Sequence, residues 1–126
     1  MSITEAEYAL FEKAVYDDNL EKFKEMVGAL EDINIQNKYG WTLLHITIRR
    51  DRRDMVAFLL KSGADINKVD GVGWTPLMEA IMDEKVELVK FLVEKGADKS
   101  IANARGVTAP MLAQKFGRSE MYAYLS

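Results

Sequence analysis

Apolar residues recur at helical spacing in two stretches: Met55, Val56, Phe58, Leu59 and Leu60, then Leu88, Val89, Phe91, Leu92 and Val93. An i, i+3, i+4 pattern of this kind predicts an amphipathic helix with one buried face. Gly63 and Gly96 follow directly and read as C-caps, where the backbone turns left-handed. A second helical pattern precedes each stretch, at about Thr42 to Arg50 and Thr75 to Met82. Thr42, Thr75 and a further Thr108 are placed to cap such helices with their hydroxyls. Pro76 falls at the first helical position, where a missing N–H costs nothing. Asp65–Gly73 and Asp98–Gly106 would then turn and return the chain.

The pattern has a period. Gly40-Trp41-Thr42 recurs as Gly73-Trp74-Thr75 and again as Gly106-Val107-Thr108, 33 residues apart each time. Gly63-Ala64-Asp65 recurs as Gly96-Ala97-Asp98, and residues 39–71 match 72–104 at 11 positions without a gap. The period extends backwards, since Asp32-Ile33-Asn34 lies one repeat before Asp65-Ile66-Asn67. Four units follow, at about 4–38, 39–71, 72–104 and 105–126, in a single domain. At the second-helix positions of Met55 and Phe58, or Leu88 and Phe91, the first unit has Lys22 and Glu25. Charged residues there predict a solvent-facing end, and hence a complete small protein. Met121 and Tyr124 fill the same positions in the last unit, which predicts an end only partly screened. Thr4-x-x-Glu7 reads as a capping box opening the first helix.

Thr75-Pro76-Leu77-Met78-Glu79-Ala80 and Thr42-Leu43-Leu44-His45, with the 33-residue period and the Gly-Ala-Asp exits, resemble the ankyrin repeat and its T-P-L-H-x-A signature. Met78 departs from the signature at the histidine place, Leu43 at the proline place, and Thr108-Ala109-Pro110-Met111 carries its proline one place late. The resemblance covers nearly the whole chain. It implies an all-α ankyrin-repeat solenoid of paired antiparallel helices joined by hairpin-like loops, with the first and last units as caps. It further implies that His45 ties the turn backbone together. The fold itself says little about function, because it hosts many partners.

Composition narrows the chemistry. Cysteine is absent, which excludes disulfides and thiolate metal sites. His45 is the only histidine, so multi-histidine metal centres are excluded and only one imidazole base is available. P-loop, G-x-G-x-x-G and H-E-x-x-H motifs are missing. We therefore expect no enzyme, no cofactor and no metal. No apolar run reaches the roughly 18 residues of a membrane span. Met1-Ser2-Ile3-Thr4-Glu5 lacks the basic and apolar regions of a signal peptide, so a cytoplasmic, membrane-free protein is expected. The net charge of −3 argues against nucleic acid as the main partner.

What remains is a surface. In arrays of the family, partners meet the loop tips and the exposed side of the first helix. Carried over position by position, this implies a partner-binding set of Tyr16, Tyr39, Trp41, Arg49, Arg50, Val72, Trp74, Met82, Asp83, Arg105 and Phe116. Aromatic residues and arginine are the types enriched at interface hot spots. The competing reading has Trp41 and Trp74 stacking on each other and covering the first helices. Charge is uneven: residues 1–38 net −5, 39–71 net +2, 72–104 net −2 and 105–126 net +2. Arg49-Arg50-Asp51-Arg52-Arg53-Asp54 is the only dense basic cluster. Arg49 and Arg50 stay open as an anchor for an acidic partner patch, while Arg52 and Arg53 read as a solvated turn with local ion pairs. The expectation is a small monomer that binds one partner protein, as a steric inhibitor or bacterial immunity protein neutralising a toxin enzyme. The alternatives are an adaptor bridging two proteins, a small-ligand receptor or enzyme, and self-association around Met121, Tyr122 and Tyr124.

Overall fold

A computed structural model describes residues 3–126. Each unit folds as two antiparallel helices. They are α1 (Glu5–Tyr16) with α2 (Leu20–Gly28), α3 (Leu43–Arg49) with α4 (Arg53–Lys61), and α5 (Pro76–Met82) with α6 (Val86–Glu94). The last unit has α7 (Ala109–Lys115), a 3-10 turn (Ser119–Met121) and α8 (Tyr122–Leu125). The first helices stack in the order α1, α3, α5, α7, while α2 packs on α4 and α6 on α8. Among the described residues there is no β-strand, only an isolated bridge between Gln36 and Thr42.

The apolar columns set by the period are the core. Met55, Leu88 and Met121 are buried at successive equivalent positions, as are Leu59, Leu92 and Leu125. Lys22 stands in the first of these columns and is exposed. The polar end is incomplete, however: Leu10, equivalent to buried Leu43, is left exposed at that end of the stack.

Helix ends follow from local chemistry. Thr4 and Glu7 form the capping box. Thr42 and Thr75 accept from the third N–H of their helices, whereas Thr108 takes the capping conformation without a side-chain cap bond, Pro110 standing at the second helical position. At Gly63 (φ +96°) the N–H of Ala64 bonds back to Leu59 O at 3.0 Å, the paired ending that favours glycine. The first helices end the same way on Asp18, Asp51 and Glu84, all in the left-handed region, with Gly117 only in the last unit.

The loops stack as closely as backbones allow. In each, Asn37, Asp70 or Asn103 uses its side-chain oxygen to accept from the N–H groups two and four residues on. Neighbouring loops then join directly, Gly71 N–H to Tyr39 O at 2.9 Å and Ala104 N–H to Val72 O at 3.1 Å. A Cβ on Gly40 would stand 2.4 Å from Gly71 N, so the contact itself demands glycine.

Candidate protein-binding face

The unit interfaces are bound by a few polar side chains whose positions fix the face beside them. His45 is fully buried. Its Nδ1 accepts from Thr42 N–H at 3.2 Å and its Nε2 lies 2.9 Å from Trp74 O. A carbonyl can only accept, so Nε2 carries the proton and the ring is neutral. Burial holds its pKa below the usual histidine value, which suits that state. The imidazole thus ties the loop of one unit to the next. Tyr8 does the same one interface earlier, its hydroxyl donating to Trp41 O at 2.7 Å. Its phenol is pushed far up, first by burial and then by Glu12 and Glu5, and stays a donor.

Arg52 corrects an expectation. It is not a solvated turn residue: it is half-buried, and its guanidinium donates to Val15 O at 2.7 Å and Tyr16 O at 2.8 Å, the carbonyls at the end of α1. Arg118, two periods on, spans Ile81 O and Met82 O in the same way at 3.3 Å each. Arg53 behaves as expected, with an exposed 3.2 Å pair to Asp51.

Three clusters line the face formed by the loops and the ends of the first helices. In the first, Trp41 packs against Tyr39 with ring centroids 4.9 Å apart, and the Arg49 guanidinium lies 4.0 Å over the Trp41 ring. Arg49 Nη2 also donates to Glu79 Oε1 at 2.8 Å. Glu79 is buried, and sequence reasoning missed it by treating the carboxylates as surface; the available signal was an acid in the column of buried Ile46 and Leu112. Asp83, one turn on, has a side-chain oxygen that is buried without a donor. Its pKa is pushed up to about 7, first by burial and then by the Glu79 carboxyl beside it. In the second cluster, Arg50 lies 5.0 Å over the ring of exposed Tyr16.

The third cluster is a groove of about 420 Å³ between the last two loops and the ends of α5 and α7. Val72, Trp74, Met82, Arg105 and Phe116 line it, with Val107, Leu112 and Lys115. The two tryptophans therefore serve different clusters: Trp41 packs under Arg49, and Trp74 walls the groove.

Against this geometry, the family described as Ankyrin repeats (3 copies) matches residues 10–103 and 63–126. The chain belongs to the ankyrin-repeat family. No curated protein matches it. Ankyrin repeats are protein–protein interaction modules, and the three clusters occupy the loop tips and first-helix ends of the ankyrin stack. The eleven expected residues fall within these three clusters, at loop tips and first-helix ends. Among the described residues no helix is long and apolar enough to cross a membrane.

Proposed function

We propose that this protein works without catalysis, binding one partner protein through the loop tips and the exposed ends of α1, α3, α5 and α7. Within that class we infer a steric inhibitor of the immunity-protein kind, acting as a cytoplasmic monomer that covers part of a toxin enzyme. The observation that carries the reading is where apolar surface is left open. Among the described residues seven large hydrophobic side chains stay exposed, and four of them (Tyr16, Tyr39, Val72 and Phe116) lie at these loop tips and first-helix ends. An exposed apolar cluster rimmed by arginine is what a partner surface looks like before it is covered.

The test is co-purification from the native cell with wild type and a Tyr39→Ala/Val72→Ala/Phe116→Ala variant, each checked for folding by circular dichroism. These positions are exposed, so the fold should survive their truncation. Arg49→Ala is a poor choice, because it would strand the buried Glu79 carboxylate. We expect one protein to be captured by wild type and lost by the variant. Capture that survives the variant would overturn the assignment of the face. A toxin enzyme inhibited by wild type would establish the inhibitor role. The adaptor reading draws on Leu10 and Tyr122, exposed at the two ends of the stack. It predicts a second partner lost on Leu10→Ser or Tyr122→Ser and kept by the face variant.

A further inference from the structure

The charge around the groove says what kind of segment would fill it. Its floor is apolar, built from Trp74, Met82, Val107 and Phe116. Its two charged walls are both cations, Arg105 on the loop tip and Lys115 at the end of α7. Both are exposed, and among the described residues neither has a carboxylate partner. Lys115 Nζ lies 5.7 Å from the centre of the Phe116 ring, a weak hold that leaves its protons free for another acceptor. The acids of this part of the face are withdrawn. Asp70 has one carboxylate oxygen taken up by the N–H groups of Val72 and Trp74, Glu79 is buried and already paired with Arg49, and Asp83, with one oxygen buried, has its pKa pushed up to about 7. The surface here is therefore basic around an apolar floor, on a chain whose net charge is −3.

We propose that this groove takes an acidic polypeptide segment of the partner, anchored by one bulky apolar side chain. The proposal rests on the protein-binding reading of the face. The groove is near the lower end of the roughly 300–1,000 Å³ of ligand clefts, which suits a single anchoring side chain. Carboxylates on either side of that anchor would meet Arg105 and Lys115, and Arg105 can hold one through two hydrogen bonds. A nucleic acid fits less well, because the cations are few and flank apolar surface without forming a track for phosphates.

The proposal is tested by selecting a phage-displayed random peptide library on the immobilised wild-type protein. The enriched peptides should carry net negative charge and an aromatic or large aliphatic residue. Their affinity, read by fluorescence anisotropy, should fall about tenfold or more in Arg105→Glu/Lys115→Glu and in Phe116→Ser. It should stay unchanged in Lys61→Glu/Lys95→Glu, which makes the same change of charge at exposed ends of α4 and α6. Enrichment of basic or uncharged peptides, no enrichment, or equal loss in the control variant would overturn the proposal. So would a heparin fragment that binds wild type as tightly as the selected peptides. The two readings fail separately. If the native partner is lost on truncating the face while the library yields basic peptides, only the charge inference falls. If capture survives truncation, the binding face itself is wrong.

Discussion

At the scale of single residues, two titrating groups give the protein opposite responses to pH. His45 is neutral and buried, and its folded pKa lies below the ordinary 6.5. Below that value the unfolded chain binds a proton that the folded chain refuses. The stability due to neutral His45 is therefore complete above pH 6.5 and is lost as pH falls from there toward the folded pKa. Asp83 runs the other way, raised from 3.8 to about 7. The folded chain keeps a proton that the unfolded chain releases, so stability falls as pH rises from 3.8 toward 7. Thermal melts across this range should separate the two. His45→Gln should lower stability at neutral pH by about 1–3 kcal/mol, through the lost bond from the ring to Trp74 O and the disturbed packing of a buried site, and flatten the acid limb. Asp83→Asn should leave the acid limb and remove the decline toward neutrality. An unchanged acid limb in His45→Gln would show that the imidazole is not the sensor. His45 was legible because the signature names its place. Glu79 was not, because a lone acid between Met78 and Ala80 reads as surface until Arg49, 30 residues away, is seen to meet it.

At the scale of elements, the period made the helices, the threonine caps at Thr42 and Thr75 and the glycine-ended α4 and α6 readable from sequence, but not the missing cap bond of Thr108. What it hid was how tightly the loops stack. Gly73 and Gly106 are equivalent and both have positive φ, +84° and +76°. A Cβ on Gly73 would sit 2.9 Å from Ala104 N, whereas one on Gly106 would meet nothing within 4 Å. Gly106→Ala should therefore cost only the left-handed backbone term, roughly 1–2 kcal/mol. Gly73→Ala should cost more, since the next loop must also move. Equal losses in urea melts would mean that the loops separate without penalty. Arg52 was hidden for a different reason: four arginines in five residues look like one solvated cluster, and only the fold sends this one under the end of α1. It holds two carbonyls at once, a geometry that one ammonium group does not reproduce. Arg52→Lys should thus lose most of what Arg52→Ala loses, about 1–3 kcal/mol. Full retention of stability in Arg52→Lys would show that charge alone suffices there.

At the scale of the whole molecule, a repeat stack is held by its neighbour interfaces, and here they are unequal. The first is tied by Tyr8 and Arg52, and the second by His45 and the Arg49–Glu79 pair. The third keeps Arg118, which also pairs with Glu84 at 2.8 Å, the loop contact of Ala104 and the bond from Lys99 Nζ to Ser126 O, but Met78 stands where His45 stands one unit earlier. Trp41 O and Trp74 O each accept from their own loop and from a side chain of the preceding unit. Among the described residues Val107 O accepts only from Asn103 N–H, at 2.9 Å. The last unit, which supplies Arg105, Lys115 and Phe116 to the groove, thus lacks the loop tie that Tyr8 and His45 give the units before it. Met78→His restores the signature residue. Its ring would meet Thr75 as His45 meets Thr42, and reach Val107 O across the interface. We expect a gain of about 1 kcal/mol from that bond, less whatever apolar packing the buried Met78 now provides. Hydrogen exchange reads the effect locally: amides of α7 should slow in Met78→His, while those of α1 and α2 stay as they are. A partner seated in the groove should slow the same amides in wild type, and slow them less in Met78→His, where part of the ordering is already done. If α7 exchanges no more slowly in the variant, the histidine tie adds nothing to the hold on the last unit.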